Sequence, residues 1–359
     1  MKLMFVAGEA SGDGHAAAVI AALRRQAPAV EVFGAGGPRM AAAGMELVLD
    51  LTEHAVVGLV EVLKNYGKFR RFLHELVAVA EQRQPAAVVL VDFPGFNLRL
   101  ASALRARGLR VIYYISPQLW AWHAGRARQI ERDVELMLTI FPFEKEWYAR
   151  HAPRLAVEFV GHPLLDRVEV PESATVRDER LVLLLPGSRE AEVRRIFPVM
   201  ARVVDELPGY EFVAVAASAS LAPLIRHSRV RVATGNAVEW MRRATLALTA
   251  SGTATMECAV CGCPMIVIYR VNWLTYWVGR AVVQVNWLAM PNVLAGREVV
   301  PEFIQHRARP RMIAETARGL LTNPARREQM QGELANVVAG LGGKGAAERA
   351  AALILDRVR

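Results

Sequence analysis

The chain alternates short apolar runs with longer amphipathic stretches, and this alternation restricts its fold more than any other feature. Buried strands that alternate with helices predict βαβ units and a parallel sheet. In the N-terminal half the predicted pairs of strand and helix are 3–6 with 16–25, 86–91 with 98–107, and 109–114 with 124–132.

The same alternation restarts after a polar, proline-containing segment at 169–179, whose composition is typical of a linker. A length of 359 residues also exceeds what one hydrophobic core usually serves. We therefore predict an α/β fold with two Rossmann-like, doubly wound domains that face each other across a cleft. The predicted domains are 1–170 and 171–343, with a C-terminal helix at about 344–359 that packs back on the first. In the second half, strands are predicted at 181–185, 211–216, 244–249 and 265–269, and helices near 196–206, 253–260 and 311–321.

Composition excludes several classes of protein. Hydrophobic residues make up 53% and charged residues 22% of the chain, so it is neither disordered nor fibrous. The first apolar run is too short for a signal peptide, and no stretch is long enough to span a membrane, so a cytoplasmic location is expected. Cys258, Cys261 and Cys263 lack a fourth ligand for a closed zinc site, which favours buried packing. The net charge of +9 indicates an anionic partner: nucleic acid, a phosphorylated substrate or an acidic membrane.

In the first half, candidate functional residues follow the predicted strands, where doubly wound sheets bind their ligands. The loop after the first strand contains Glu9, Ser11 and Asp13, whose crowded polar groups favour a hydroxyl-rich ligand over a simple tight turn. The dinucleotide fingerprint G-x-G-x-x-G is absent from it. Asp92 directly follows an apolar run, a position that suits a general base, although a helix-capping aspartate gives the same pattern.

Aromatic residues are dense just after the strand predicted at 109–114. Sugar rings and acyl chains pack on such side chains, although ordinary core packing explains the pattern equally well. A histidine in this segment could transfer a proton, although a single histidine is more often structural. The candidates here are Trp120, Trp122 and His123.

Two loops of the second half are suited to a nucleoside diphosphate. A serine and an arginine after one strand can clasp phosphates, and a small-residue loop after another opens a helix whose N-terminus favours anions. An acid one turn into that helix is within reach of ribose hydroxyls. The sequence has no Walker A motif and no Asp-x-Asp pair, so neither a metal nor a cofactor is expected. The residues expected at this site are Ser188, Arg189, Gly252, Thr253, Thr255 and Glu257.

Seven motifs resemble the lipid-A-disaccharide synthase family. They are collinear over nearly the whole chain, which makes the resemblance far more specific than any one motif. They are AGEASGD at 7–13, SPQLWAW at 116–122, FPFE at 141–144, GHP at 161–163, LPGSR at 185–189, ASGTAT at 250–255 and PNVLAGRE at 291–298.

The resemblance implies an inverting, metal-independent glycosyltransferase of the GT-B type, which acts in lipid A biosynthesis. Its substrates would be UDP-2,3-diacylglucosamine and 2,3-diacylglucosamine 1-phosphate, which react to give a β-1,6 disaccharide and UDP. The first domain would then bind the acceptor and supply the base Asp92, and the second would bind the UDP-sugar. The family match also places Asn292 and Glu298 near the donor.

Both of these substrates are lipids, so the resemblance implies peripheral association with the inner face of the cytoplasmic membrane. The segments 56–72 and 271–280 mix apolar and basic residues in a way that suits an interfacial helix. An amphipathic helix packed on the core is the alternative for each. The residues expected to contact the membrane are Lys64, Lys68, Phe69, Arg70, Arg71, Phe72, Trp273 and Trp277.

Other functions remain open from the sequence. Another UDP-sugar enzyme of the same architecture, such as a UDP-N-acetylglucosamine 2-epimerase, would share the fold. A non-catalytic lipid- or nucleic-acid-binding module would account for the charge. The basic residues are scattered rather than arranged in a stripe with stacking aromatics, so nucleic acid is not expected as a partner. A homodimer is also left open.

Overall fold

The computed structural model describes residues 1–54, 66–168, 176–283 and 285–359, which form two compact units. The first unit contains Met1–Asp166 and Leu341–Arg359, and the second contains Arg167–Gly340. Of the predicted linker at 169–179, residues 169–175 lie outside the described residues. Its last two residues, 178 and 179, already belong to a strand.

A seven-stranded parallel sheet forms the centre of the first unit. Its strands are β1 (Lys2–Ala7), β2 (Glu31–Gly36), β3 (Glu46–Asp50), β4 (Ala87–Val91), β5 (Val111–Tyr114), β6 (Leu136–Thr139) and β7 (Ala156–Phe159). They lie in the order β3-β2-β1-β4-β5-β6-β7. The strand order therefore reverses between β1 and β4, and such switch points are where open α/β sheets bind ligands.

Helices connect these strands and cover the sheet. They are α1 (Ala10–Gln26), α2 (Pro38–Ala42), α3 (Tyr66–Arg83), α4 (Pro94–Arg105), α5 (Leu119–Trp122), α6 (Ala127–Asp133), α7 (Pro142–His151) and α8 (Leu164–Arg167). Every residue of β4 is buried, as expected for a parallel strand covered on both faces. The near-continuous apolar runs in the sequence reflect this double coverage.

A six-stranded parallel sheet forms the centre of the second unit. Its strands are β8 (Asp178–Leu185), β9 (Glu211–Ala216), β10 (Val230–Thr234), β11 (Ala244–Ala250), β12 (Met265–Tyr269) and β13 (Glu302–Ile304). They lie in the order β10-β9-β8-β11-β12-β13, so the switch point falls between β8 and β11.

The helices of the second unit complete the same doubly wound pattern. They are α9 (Glu190–Asp205), α10 (Ala237–Arg243), α11 (Thr253–Val260), α12 (Trp273–Val282), α13 (Met290–Ala295), α14 (Pro310–Leu321) and α15 (Pro324–Ala339). Short 3₁₀ helices lie at Thr52–His54, Ala124–Arg126, Ala222–Leu224 and Gln305–Arg307. Within the described ranges, no helix has the length and hydropathy needed to cross a bilayer.

The last helix, α16 (Ala346–Val358), belongs to the first unit and packs against α1. The carboxylate of Asp166 accepts hydrogen bonds from the backbone N–H groups of Gly345 and Ala347, at the start of α16. Arg25 of α1 forms an ion pair with Glu348. The chain thus returns to the unit in which it began.

Three helices begin several residues earlier than the sequence predicts. The first, α1, begins at Ala10 rather than 16, so Ser11 and Asp13 lie in its first turn rather than in a loop. The second, α4, begins at Pro94 rather than 98, and the third, α9, begins at Glu190 rather than 196. The first turns of α1 and α9 are mostly small or charged, and that of α4 begins with proline and glycine, so apolar periodicity alone does not reveal them. The predicted strands all lie within or overlap observed strands.

Candidate functional site

The loops after β1 and β4 bring two carboxylates together at the switch point of the first unit. Ala7 pairs with Val91 in the sheet, so the residues that follow each strand are neighbours. Glu9 is the N-cap residue of α1, and Asp92 follows β4. Burial raises the pKa of Asp92 to about 6, and the negative charge of Glu9 contributes to the increase. The site therefore contains a carboxylate that is more basic than usual.

The backbone at Asp92 is held in an uncommon conformation. Asp92 and Phe93 have φ angles of +49° and +52°, in the left-handed region that non-glycine residues rarely occupy. The Tyr113 hydroxyl and the Asn97 side-chain amide both donate to the Asp92 carbonyl, at 2.7 and 2.8 Å. Asn97 also donates to the carbonyl of Val91 at 3.2 Å. Such strain persists where surrounding contacts fix it, and it clusters at functional sites.

Sequence reasoning missed the two residues that hold this loop. Tyr113 is one strand away in β5, and its hydroxyl reaches Asp92 only because β4 and β5 are paired. Asn97 lies in the first turn of α4 and is fully buried. The sequence signal is an asparagine in an otherwise apolar helix start, five residues after the aspartate that follows a strand. It does not by itself reveal the hydrogen-bond partner.

The aromatic ring of Phe93 explains a glycine in the first loop. A Cβ atom at Gly8 would overlap this ring, so only glycine allows the two loops to approach. Phe93 also contacts Phe69 of α3 and Phe96, with ring centroids 6.3 and 5.9 Å apart. The start of α3 thus packs directly beside the loop that carries Asp92.

Asp13 has a different role from the one expected. Only 2% of it is exposed, and its oxygens accept hydrogen bonds from the backbone N–H groups of Gly37, Arg39 and Met40. The carboxylate therefore stabilises the start of α2, and the expectation that it binds sugar hydroxyls is corrected. Ser11, in contrast, is exposed in the first turn of α1.

The aromatic residues that follow β5 differ in exposure, because some lie in the core and others at the surface. Trp120 is buried, and its indole N–H donates to Glu144 at 3.2 Å, which corrects its assignment to the acceptor site. Glu144 is also buried, and burial raises its pKa to about 7. Trp122 is 46% exposed and lies against the ring of His123 at 4.6 Å. Trp122 and the half-buried His123 thus remain the candidates of this segment.

In the second unit, the loop after β8 presents Arg189 at the switch point. Glu192 of α9 accepts hydrogen bonds from the backbone N–H groups of Ser188 and Arg189, at 3.0 and 3.3 Å. Its carboxylate also lies 3.7 Å from the Arg189 guanidinium, whose side chain is 58% exposed. Gly187 has a φ angle of +122°, which favours glycine in this turn. The loop is therefore fixed while the guanidinium can still bind an anion.

The turn after β11 lies beside this loop because Thr249 pairs with Leu185 in the sheet. Gly252 and Thr253 are exposed at the N-terminus of α11. Thr255 is fully buried, and its hydroxyl donates to the carbonyl of Gly252 at 2.8 Å. This corrects the expectation that Thr255 contacts a phosphate, because its hydroxyl instead stabilises the turn.

Glu257 is half-buried one turn into α11. Burial raises its pKa, and the positive charge of Arg167 lowers it. All three cysteines near this helix are buried, which confirms the packing role expected for them. In the parts of the chain that the structure describes, no three His, Cys, Asp or Glu residues are grouped so as to hold a metal ion.

Asn292 does not face a ligand, which corrects its assignment to the donor site. It is fully buried, and its amide donates to the carbonyl of Val300 and to Glu302, both at 2.8 Å. Its carbonyl oxygen accepts from the backbone N–H groups of Val299 and Val300. All four hydrogen bonds that an asparagine can usually make are therefore used within the fold.

Glu298 lies at the other end of the sheet, which corrects its assignment as well. It is exposed and precedes β13, in a surface pocket that also includes Met330. The sulfur of Met330 accepts from the backbone N–H of Met265, the first residue of β12. Glu298 is thus near the amino ends of the strands, whereas Arg189 and Gly252 follow their carboxyl ends.

The residues expected to contact a membrane also differ in environment. Phe69 and Phe72 are half-buried and pack against the hydrophobic core, and their contact with a bilayer stays a prediction. Arg70 and Arg71 are exposed, and Lys68 is half-buried over the ring of Phe72. Lys64 lies outside the described residues.

On α12 of the second unit, two tryptophans are exposed. Trp273 is 53% exposed and Trp277 is 64% exposed. Tryptophan prefers the interfacial region of a bilayer, where its ring is partly apolar and partly polar. These two side chains therefore remain candidates for a membrane contact.

Comparisons with known proteins agree with the resemblance seen in the sequence. The family model described as lipid-A-disaccharide synthetase matches residues 3–354. A lipid-A-disaccharide synthase of Myxococcus xanthus is 41% identical, over 99% of this chain and 97% of that protein.

Solved structures with the same fold include an epimerase and a glycosyltransferase. The UDP-GlcNAc 2-epimerase from Neisseria meningitidis, bound to UDP-GlcNAc, has a TM-score of 0.66 and 15% identity, with 100% of this chain and 99% of that chain covered. Spinosyn forosaminyltransferase has a TM-score of 0.63 and 16% identity, with the same coverage. At this level of identity, the likeness establishes the two-domain fold.

Proposed function

Since this chain belongs to the lipid-A-disaccharide synthase family and is a glycosyltransferase, we propose that Asp92 is the general base of its reaction. The reaction of this name transfers 2,3-diacylglucosamine from UDP-2,3-diacylglucosamine to the 6-hydroxyl of 2,3-diacylglucosamine 1-phosphate. The products are a β-1,6 disaccharide and UDP. The epimerase alternative shares the fold with this chain but only 15% of its sequence.

The observation that carries the proposal is the environment of Asp92. Inversion at the anomeric carbon needs a base that removes the proton of the attacking hydroxyl. A carboxylate with a pKa of about 6 is mostly ionised at neutral pH, yet it accepts a proton more readily than an ordinary aspartate. The 6-hydroxyl oxygen would bond to C1, its proton would pass to Asp92, and the C1–O bond to UDP would break.

Glu9 has a supporting role in this proposal. Its charge helps to keep the pKa of Asp92 raised, and as the N-cap residue of α1 it lies beside the same switch point. Its carboxylate can accept hydrogen bonds from sugar hydroxyls, and the hydroxyl of the exposed Ser11 can both donate and accept them. The first unit would therefore bind the acceptor sugar.

We place the donor nucleotide in the second unit. The exposed guanidinium of Arg189 and the N-terminus of α11 carry positive charge next to each other at the switch point. Both would stabilise the negative charge that develops on the departing UDP. Glu257 is the candidate for hydrogen bonding to the ribose.

We expect the reaction to proceed without a divalent metal, because arginine and helix N–H groups supply the positive charge that a metal would provide. Treatment with EDTA, followed by removal of the chelator, should leave turnover essentially unchanged. Addition of magnesium should not raise it. A loss of activity with EDTA that magnesium restores would contradict this proposal.

The lipid character of both substrates supports a role for the membrane surface. Arg70 and Arg71 are exposed near the start of α3, whose Phe69 packs beside the loop of Asp92. Each basic residue near an anionic surface is worth about 1 kcal/mol. Anionic lipid at this face would thus bring the acceptor close to the proposed base.

Replacing Arg70 and Arg71 with Ser should therefore weaken binding to anionic vesicles roughly 30-fold, with a larger effect at low salt. Cosedimentation with phosphatidylglycerol vesicles measures this, and the Arg128 and Arg150 double replacement with Ser is the control for net charge. Activity on detergent-dispersed substrate should persist. Equal binding by both double variants would show that the contact lies elsewhere, with Trp273 and Trp277 as the next candidates.

A further inference from the structure

We propose that a pocket in the second unit binds one acyl chain of the UDP-linked donor. The pocket has a volume of about 340 Å³ and lies at the carboxyl ends of β12 and β13. It is lined by Tyr269, Val271, Tyr276, Val283, Leu288 and Ile304, among others. This inference rests on the proposed function, because only a lipid-linked donor would bring an acyl chain to this place.

The chemistry of the lining suits an anionic lipid. Aliphatic and aromatic side chains form most of the wall, as in pockets that bind apolar ligands. The exposed basic side chains of Arg280, His306 and Arg307 also line the pocket, as does Asn286. Apolar walls together with exposed basic side chains match a molecule that carries both a hydrocarbon chain and phosphate groups.

The pocket lies beside the proposed phosphate site. Ala250 pairs with Ile268, so Tyr269 lies beside the turn that precedes α11. In that turn the Ser251 hydroxyl donates to the carbonyl of Leu288, a residue of the pocket wall, at 3.0 Å. A donor whose diphosphate binds at Gly252 would therefore have its sugar and acyl chains next to this wall.

Tyr269 also connects the pocket to the loop after β8. Burial raises the pKa of Tyr269, the charge of Glu192 raises it further, and that of Arg189 lowers it. The phenol of Tyr269 therefore interacts electrostatically with Glu192 and Arg189, the charged residues at the loop proposed to bind the diphosphate. One side chain borders the acyl pocket and the phosphate site.

Buried polar side chains fix two parts of the wall. Gln305 has a φ angle of +51°, and its amide donates to and accepts from the backbone of Val271, at 3.0 and 3.1 Å. The carboxylate of Glu302 accepts hydrogen bonds from the backbone N–H groups of Leu288 and Ala289. These contacts hold the wall in place, which indicates a preformed pocket.

Gly279 of α12 offers a way to fill the pocket without disturbing the fold. It lines the pocket, and a Cβ atom built at this residue meets no other atom within 4 Å. Gly332 of α15 has an equally open Cβ position and lies outside the pocket. Gly279→Phe and Gly332→Phe are therefore a matched pair of variant and control.

The test compares donors with tetradecanoyl chains and with acetyl groups, using kcat/KM for transfer. In the wild-type protein, each methylene that enters the pocket should raise kcat/KM by up to roughly fourfold. Gly279→Phe should lower kcat/KM for the tetradecanoyl donor by roughly tenfold or more and leave the acetyl donor and the affinity for UDP unchanged. Gly332→Phe should match the wild type with both donors. Val283→Phe, at an exposed position of the same wall, serves as the second filling variant.

Several results would overturn the inference, and they can be told apart. If Gly279→Phe and Val283→Phe lowered kcat/KM equally for the tetradecanoyl and the acetyl donor, the pocket would not be the binding site of the acyl chain. If neither variant lowered kcat/KM with either donor, the acyl chain would bind elsewhere, for instance in the first unit. A wild-type protein that transfers neither sugar would refute the proposed function itself rather than the pocket alone.

Discussion

Replacing Asp92 with Asn should lower the rate of sugar transfer by roughly 10²–10⁴-fold, the usual effect of losing a general base. Asparagine keeps the size of the side chain, and the backbone of this loop is held by Tyr113 and Asn97 rather than by the carboxylate. Affinity for UDP should therefore remain nearly unchanged, because the nucleotide is proposed to bind in the other unit. Initial rates with both lipid substrates, together with calorimetry of UDP binding, measure the two effects.

The exposed residue Asp356 of α16 provides the control for this substitution. Asp356→Asn removes the same charge from the same unit and should leave transfer unchanged. If Asp92→Asn turned over at a near-normal rate, Asp92 would have no part in the proton transfer. Loss of UDP affinity equal to the loss of rate would instead indicate a general disruption of the protein.

The raised pKa of Asp92 also predicts the pH profile of the enzyme. A general base must be ionised, so kcat/KM should fall about tenfold per pH unit below the Asp92 pKa of about 6. Glu9→Gln removes a negative charge that raises the pKa of Asp92, so the fall in kcat/KM should begin at a lower pH in this variant. The shift should be partial, since burial is the larger cause of the raised pKa.

The same pKa has a consequence for stability, whose sign follows from linkage. The folded state raises the pKa of Asp92 from 3.8 to about 6, so ionising this carboxyl costs more in the folded than in the unfolded state. The cost is absent below about pH 4 and complete above about pH 6, where it is on the order of 2–3 kcal/mol. Asp92→Asn should thus be more stable than the wild type at neutral pH. This gain should disappear in unfolding measurements near pH 4.

The second large effect is expected for Arg189→Ala. A hydrogen bond to a charged group contributes about 1.5–3 kcal/mol, so affinity for UDP should fall roughly 10- to 100-fold. Transfer should fall at least as much, because the same contact stabilises the departing diphosphate. Calorimetry with UDP and kcat/KM for the donor measure the two quantities separately.

Two further variants sharpen this test. Arg195→Ala removes an exposed arginine from α9, the helix that follows this loop, and should have little effect. Arg189→Lys should restore only part of the affinity, because lysine keeps the charge but lacks the planar fork that binds two phosphate oxygens. Unchanged affinity for UDP in Arg189→Ala would place the diphosphate away from this loop.

Much of the fold could be predicted because buried parallel strands leave a simple signal. A strand such as β4 is covered on both faces, so its sequence is a continuous apolar run with a clear end. The residues in the turns that follow such strands, including Glu9, Asp92 and Arg189, lie at the switch points by topology alone. Their positions at the sheet edge follow from the strand assignments and the order of the chain.

The roles of nearby polar residues could not be predicted in the same way. Asp13 and Asn292 are polar residues within motifs of the family. The hydrogen bonds of Asp13 go to backbone N–H groups at the start of α2, and those of Asn292 go to Val299, Val300 and Glu302. Thr255 donates its hydroxyl to the turn in front of its own helix. Spacing along the chain does not reveal whether such a side chain stabilises a loop or faces a ligand. Only the three-dimensional partners decide this.

The return of α16 to the first unit has a consequence for folding during synthesis on the ribosome. The second unit is one uninterrupted stretch, Arg167–Gly340, and its residues are all available before the chain is finished. The first unit lacks its last helix until residues 341–359 have been translated. The surface of α1 that α16 covers is therefore exposed while the rest of the chain is being made. The part of the protein that is synthesised first is the last to be completed.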